Sequence, residues 1–105
     1  MTLCYSPAAR DDLRRIRAYI RDELASPLSA ERIAGGIVER CSELKKHPFL
    51  GPSIQSKVER RTNIRKIHFE GYIAFYRVEE SSVFVLRILH SRQDFVAALG
   101  LSSDS

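Results

Sequence analysis

Residues 72–90, which read YIAFYRVEESSVFVLRILH, decide the fold. Residues 72–78 and 83–90 are dense in β-branched, aliphatic and aromatic side chains, which favour strands. Residues 79–82 between them are short and polar, and they predict a tight turn. Because a short turn joins antiparallel neighbours, the whole stretch predicts a β-hairpin.

The residues on either side of this hairpin extend the sheet and then end it. Residues 62–69 have the same strand-like character, and Gly71 marks the turn that joins them to the hairpin. Residues 47–56 are rich in Pro, Gly and Ser, which indicates a loop. After the hairpin, residues 92–99 favour a short final helix, and the chain from Gly100 onward is predicted to be a loose tail.

The N-terminal part predicts a strand and then an amphipathic helix. Residues 2–5 are short and apolar, which favours the strand. Ser6 and Pro7 begin the helix, because serine accepts from a free amide and proline suits the first helical position. Asp11 and Asp12 favour the positive end of its dipole. The helix has about 18 residues, and its apolar face is formed at helical spacing by Ala9, Leu13, Ile16, Ile20 and Leu24.

A second helix begins at Ser26 and Pro27 and ends before Pro48. Its apolar face is formed by Ala30, Ile33, Ile37, Cys41 and Leu44. Gly35 and Gly36 in its middle each cost roughly 1 kcal/mol relative to alanine. We expect close approach of the first helix to account for them, in a helical hairpin.

The order of elements predicts an α+β domain with the pattern β-α-α-β-β-β(-α). The helical hairpin covers one face of a small, mainly antiparallel sheet, and the other face is left open. We expect one domain over residues 1–99, followed by the tail of residues 100–105. At 105 residues the chain has room for one hydrophobic core.

The composition excludes several classes of protein. The longest apolar stretches, such as residues 83–86, are far shorter than a membrane span, and the N-terminus does not resemble a secretory signal. Cys4 and Cys41 are too few for a disulfide framework, and we expect free, buried thiols. No metal-ligand spacing, phosphate loop or dinucleotide motif is present, so no cofactor is predicted. A cytoplasmic protein is expected.

Basic residues are concentrated just before the sheet. The chain has a formal net charge of +4. Residues 57–66 are opposed only by Glu59 and contain Lys57, Arg60, Arg61, Arg65 and Lys66. Such a cluster can bind phosphates or an acidic protein segment, or it can be a solvated loop and strand edge.

Several stretches, in the expected order, resemble the RelE/ParE toxin superfamily and are most similar to ParE-type toxins. The opening YSPAARDDLRRIRAYI resembles the first helix of these toxins, and CSELKKHPFLGP resembles their loop with leucine, proline and glycine. YIAFYRV and FVLRILHSRQDF resemble their last two strands and the exit from the sheet. The resemblance extends from residue 4 to about residue 95.

The resemblance implies the toxin of a toxin–antitoxin pair, held inactive by a cognate antitoxin that folds across its surface. ParE-type toxins inhibit DNA gyrase and are not known as nucleases, whereas RelE-type toxins cleave mRNA on the ribosome without a metal. A third interpretation is a family member that only binds a partner and is not toxic. No membrane partner is implied.

The choice between the two kinds of toxin depends on a few side chains. A metal-independent ribonuclease needs a base, an acid and cations, for which His90, Arg65 and Arg87 are the candidates. Strict alternation puts His90 on the bulky face of the last strand, where we expect it to cap the core. The resemblance implies that the mRNA-cleaving kind carries a working Tyr or His near the C-terminus beside several basic residues. Here no tyrosine follows Tyr76 and His90 is the only late candidate, which favours the gyrase-directed kind.

Five basic residues are the candidates for partner contact: Arg65, Lys66, Arg77, Arg87 and Arg92. For Arg92 the alternative is an ion pair with Asp94 that only holds the strand exit together.

Overall fold

The computed structural model describes residues 1–54 and 63–100. The elements follow one another as β1 (Thr2–Tyr5), α1 (Pro7–Ala18), a π-helical turn (Tyr19–Glu23), α2 (Pro27–Ser42), a 3-10 turn (Glu43–Lys45), β2 (Ile64–Phe69), β3 (Tyr72–Glu79), β4 (Ser82–His90) and α3 (Phe95–Ala98). The predicted order β-α-α-β-β-β(-α) is therefore confirmed. In the described ranges, no helix has the length and apolar character of a membrane span.

The sheet has the strand order β1-β4-β3-β2. β2, β3 and β4 form two successive antiparallel hairpins, as predicted, and β1 is parallel to β4. Glu70 and Gly71 turn the first hairpin with positive φ angles of 43° and 85°, which explains why a glycine follows β2.

The main core lies between the two helices and one face of the sheet. Ser6 caps α1, since its side chain accepts from the Ala9 amide at 3.0 Å, and Pro7 is the first helical residue. The core cluster contains Ala9, Ile37, Cys41, Leu44, Ile67, Ala74, Tyr76, Val83, Val85 and Ile88. Both predicted helices thus bury most of their predicted apolar faces. Cys41 is buried and Cys4 is half-buried, and both are free thiols.

The glycine pair in α2 has a different partner from the predicted one. A Cβ atom on Gly36 would lie 2.1 Å from the Phe69 ring of β2, whereas a Cβ atom on Gly35 would meet nothing within 4 Å. The close approach therefore comes from the sheet, and the expectation that α1 causes it was wrong.

A bulge in β4 breaks the strict alternation that the sequence predicted. Tyr76 pairs with Val85, but the preceding Phe75 pairs with Arg87, so Leu86 is an extra residue in the ladder. As a result Val85 and Ile88, three residues apart, both belong to the helix-side core. The prediction of one bulky face from residue 84 to residue 90 was therefore wrong.

The second face of the sheet is partly covered, although the sequence predicted it to be open. The Phe95 ring of α3 stacks on Phe75, with 5.4 Å between ring centroids. Ile73, Phe75, Leu89 and Ile54 form a second small core there. The short α3 is thus part of the fold.

Candidate functional site

A buried ion pair joins α1 to the bulge of β4. Asp12 accepts from Arg87 Nε at 2.7 Å and from Arg87 Nη2 at 2.9 Å, which is a bidentate arrangement. The same carboxylate accepts from the Ile88 amide at 2.9 Å. The Asp12 side chain is only 7% exposed and that of Arg87 is 25% exposed.

The chain reaches this pair because β1 ends early and α1 continues along the edge of β4. The Ser6 amide donates to Val85 O at 2.9 Å, and the Ser6 hydroxyl donates to Leu86 O at 2.7 Å. Nearly two helical turns later, the Asp12 carboxylate accepts from the Ile88 amide at 2.9 Å. Ser6 and Asp12 thus replace the hydrogen bonds that a longer β1 would have made.

Arg87 also contacts the end of α3. Its Nη1 donates to Ala98 O at 3.2 Å. Hydrogen bonding to Asp12 raises the pKa of the Arg87 guanidinium, so the cation persists despite partial burial. Arg87 therefore holds α1, β4 and α3 together, and two of its nitrogens are committed to Asp12.

Arg65, the second predicted site residue, is engaged with the loop before β2. Its Nη1 donates to Gly51 O at 2.7 Å, and its guanidinium lies 4.8 Å from the centroid of the exposed Phe49 ring. The Gly51 amide donates to the buried Tyr76 hydroxyl at 2.9 Å. Burial raises the pKa of Tyr76, so this hydroxyl stays neutral.

His90 lies at the other end of the sheet, beside its strand partner Tyr72. The two rings meet edge to face, with 5.4 Å between centroids. His90 Nδ1 accepts from the Arg92 amide at 3.1 Å, and the His90 amide donates to the Gln93 side chain at 2.8 Å. The imidazole is thus oriented by the strand exit and by Tyr72.

The exit after β4 is not held by the ion pair that the sequence left open. Asp94 accepts from the amides of Val96 and Ala97 at 3.1 and 3.3 Å, so its carboxylate caps α3. Within residues 1–54 and 63–100, the ion pairs leave Arg92 without a carboxylate partner. The Arg92 side chain is exposed.

The candidate catalytic residues do not converge. Arg65 pairs with Tyr76, and His90 pairs with Tyr72 on the other side of β3. Four residues of an extended strand span roughly 13 Å. Arg65 and His90 are therefore too far apart to act on one phosphate, and Arg87 is committed to Asp12.

The other predicted basic residues divide between surfaces. Lys66 is the residue after Arg65, so its side chain lies on the other face of β2. Its partner on the neighbouring strand is Phe75. Arg77 forms an ion pair with Glu79. The remaining members of the basic cluster lie outside the described residues: Lys57, Arg60 and Arg61.

Asp12 is the residue that sequence reasoning missed. It was interpreted as a charge near the helix dipole, whereas it is a buried acceptor for another element. A signal was present, because helical spacing puts Asp12 beside Ala9 and Ile16 on the apolar face of α1. An acid on such a face requires a partner, but the sequence alone does not say which cation supplies it.

Comparison with known proteins gives concordant results. The family model for the ParE toxin of the type II toxin–antitoxin system, parDE, matches residues 3–95. Toxin RelE3 from Caulobacter vibrioides is 30% identical over 89 residues, which cover 81% of this chain and 88% of that protein.

Solved structures share the fold. A chain of the chromosomal ParDE system from P. aeruginosa is 26% identical, with a TM-score of 0.72 over 86% of this chain and 95% of that chain. A chain of the RelBE2 toxin–antitoxin complex from Mycobacterium tuberculosis is 22% identical, with a TM-score of 0.62 over 85% of this chain and 95% of that chain. The isolated E. coli RelE toxin is 16% identical, with a TM-score of 0.55 over 95% of this chain and 94% of that chain. The two helices on a four-stranded open sheet are therefore the arrangement of RelE/ParE toxins.

Proposed function

The chain belongs to the family of ParE toxins of type II toxin–antitoxin systems, and on that premise we propose that it inhibits DNA gyrase by binding and is neutralised by a cognate antitoxin. The proposal places the protein in the cytoplasm, where gyrase acts. It makes the chain an inhibitor and not an enzyme.

The observation that carries this proposal is the separation of the residues that a ribonuclease would need. Metal-independent cleavage of RNA requires a base at the ribose hydroxyl, an acid at the leaving oxygen and cations around one phosphate. Here the Arg87 guanidinium is held by Asp12 at 2.7 and 2.9 Å. Arg65 and His90 lie four β3 residues apart, roughly 13 Å. This arrangement favours an inhibitor that acts through its surface.

The sequence of the exit from the sheet supports the same choice. LHSRQDF resembles the ParE pattern of Leu-His followed by Arg and Asp. No tyrosine follows Tyr76, and from residue 96 onward Asp104 is the only ionisable side chain. Members of the mRNA-cleaving kind carry a late Tyr or His beside several basic residues. In this chain His90 is the only such late residue.

A ribosome-dependent mRNA endonuclease is the second candidate. The observation in its favour is that the relative at 30% identity carries the name Toxin RelE3. In that case His90, Arg65 and Arg87 would be the catalytic residues, and Arg87 would have to leave Asp12 when RNA binds.

The proposed antitoxin is argued from the structural relatives and from charge. The ParDE system and the RelBE2 complex pair toxins of this fold with antitoxins. A net charge of +4 suits an acidic segment, which it would steer toward the surface. We propose partner contacts at Arg65, Lys66, Arg77, Arg87 and Arg92. Arg92 is exposed, and the other four are half-buried.

Pulse-labelling in bacteria tests the proposal. DNA, RNA and protein synthesis are followed in the minutes after induction of the gene without its neighbour, for the wild type and for His90→Ala. The gyrase proposal predicts that DNA synthesis fails first and that His90→Ala retains substantial toxicity.

The other outcomes each contradict the proposal in a different way. Immediate arrest of protein synthesis, abolished by His90→Ala, would establish the endonuclease instead. Normal synthesis of all three polymers while soluble protein accumulates would indicate a non-toxic, interaction-only member.

A further inference from the structure

The outer surface of α2 contains a shallow groove beside β2. The groove has a volume of about 600 Å³, and Phe69 of β2 is part of its lining. The α2 residues of the lining lie in two rows with a spacing of four residues: Glu31, Gly35, Glu39 and Glu43 in one row, and Arg32, Gly36 and Arg40 in the other. Rows of this spacing are the ridges through which two packed helices interdigitate.

Both rows lack a side chain at their middle. Gly36 is required by the Phe69 ring, but Gly35 is exposed, and among the described residues nothing lies within 4 Å of where its Cβ atom would be. Glycine is unfavourable inside a helix, so Gly35 has a cost that no contact of the described residues explains. A pair of glycines on an outer surface lets the backbone of a second helix approach closely.

The charges on the two sides of the glycine pair have opposite signs at equal distances from it. Residues 31–40 read ERIAGGIVER. When two copies of α2 pack antiparallel about a two-fold axis at the glycine pair, Arg32 lies opposite Glu39 of the second copy. Glu31 likewise lies opposite Arg40 of the second copy. Each pairing joins opposite charges and occurs twice by symmetry, so this face is complementary to itself.

The four charges are available for such pairing. Glu39 takes part in none of the ion pairs of residues 1–54 and 63–100. The other three have partners within the chain: Glu31 pairs with Arg17, Arg32 with Glu70, and Arg40 with Glu43. Every side chain in these three pairs is at least 34% exposed. Exposed ion pairs contribute little to stability, so these charges can pair across an interface at little cost to the fold.

From these observations we infer that the groove on α2 is a self-association surface, which binds α2 of a second copy of this chain in an antiparallel, two-fold symmetric contact. The four-residue rows of the two helices interdigitate, and the glycine pair of each helix lies at the crossing point. Because a two-fold contact closes on itself, association stops at the dimer. The inference goes beyond the proposed function and does not depend on the target of the toxin.

Sedimentation equilibrium of the refolded full chain at low salt tests the inference. Two crossing helices bury less than the roughly 1,200 Å² of a standard interface, so the association is weak and the series extends to roughly 300 µM protein. Arg32→Glu and Glu39→Arg are the groove variants. Arg10→Glu and Glu23→Arg are the matched controls, because they make the same changes in charge at exposed positions outside the groove.

We expect the wild type to pass from monomer to dimer as its concentration rises. Each groove variant should weaken dimerisation roughly tenfold or more, because it replaces two symmetric attractions by two repulsions. An equimolar mixture of Arg32→Glu and Glu39→Arg should dimerise again, since every reversed charge then lies opposite its complement in the other protein. Both controls should stay within about twofold of the wild type. Far-UV circular dichroism establishes that each variant is folded.

Three results would overturn the inference. A wild type that is monomeric throughout the series would mean that the groove is bare or contacts a different protein. A wild-type dimer that neither groove variant weakens would use another surface. Folded groove variants that stay monomeric when mixed, or controls that lose as much affinity as they do, would show that the proposed charge pairs do not form.

Discussion

Replacing Asp12 by alanine should destabilise the fold more than any other single loss of charge among the described ion pairs. The substitution removes three accepted hydrogen bonds, two from Arg87 and one from the Ile88 amide. Breaking a buried pair by removing one partner costs about 3–5 kcal/mol, because the other charge stays behind without compensation. The Arg87 side chain is 25% exposed and can recover some hydration, so we expect about 3 kcal/mol.

Urea unfolding followed by far-UV circular dichroism measures this loss. For a domain of this size, about 3 kcal/mol corresponds to a Tm lower by roughly 12–24 °C. The neighbouring Asp11→Ala is the control, since Asp11 and its partner Arg14 are both exposed and such a pair contributes about 0–1 kcal/mol.

A double variant tests whether the stability lost in Asp12→Ala comes from the unpaired charge of Arg87 or from the change in the helix. Arg87→Met combined with Asp12→Ala leaves no unpaired buried charge, so the double variant should be clearly more stable than the sum of the single losses predicts. A cost of Asp12→Ala no larger than that of Asp11→Ala, or additive losses for Asp12→Ala and Arg87→Met, would show that the buried pair does not stabilise the fold in this way.

Two further predictions concern the helix-side core. Gly35→Ala should stabilise the protein by roughly 0.5–1 kcal/mol because its Cβ atom meets open space, whereas Gly36→Ala should destabilise it by roughly 1–3 kcal/mol because the Phe69 ring must move; equal urea midpoints for the two variants would contradict this. Burial raises the pKa of the Cys41 thiol to about 11, above its ordinary value of 9.0, so stability that is complete below pH 9 should be lost as the pH rises through 11, and Cys41→Ala should flatten this part of the pH profile measured by urea titration. A wild-type profile that coincides with that of Cys41→Ala between pH 9 and 11 would contradict the assignment.

The elements that depend on neighbouring residues could be predicted from the sequence. Ser6 and Pro7 start α1 through contacts within one helical turn, and that prediction is confirmed. The strands of the two hairpins follow from alternating apolar residues and a short turn such as the one at Gly71. Local propensity and local hydrogen bonding act together at these places, so a few adjacent residues suffice.

Several features that the sequence missed depend on residues far apart in the chain. The bulge in β4 coincides with hydrogen bonds from Ser6 to Leu86 and from Ile88 to Asp12, which join residues about 80 positions apart. Gly36 is required by the Phe69 ring, more than 30 residues away. Periodicity has no access to such contacts, and for that reason it misplaced the face of the last strand.

The candidate site was only partly predictable for the same reason. Arg87 was identified as a charged residue of interest, but its fixed role depends on Asp12, which was interpreted as a dipole charge. The sequence predicted one continuous first helix and did not indicate that it ends in a π-helical turn at Tyr19–Glu23. The sequence showed which charged and aromatic residues could take part in a site, but it did not show which of them lie together in the fold.

We propose that this toxin stops DNA gyrase by binding to it. The most direct test is the supercoiling of relaxed plasmid by purified gyrase and ATP, titrated with the refolded toxin. We expect the wild type and His90→Ala both to abolish supercoiling at a concentration comparable to that of gyrase, and added antitoxin to restore it. Full supercoiling in the presence of a large excess of folded wild-type toxin would show that the protein does not inhibit gyrase by binding.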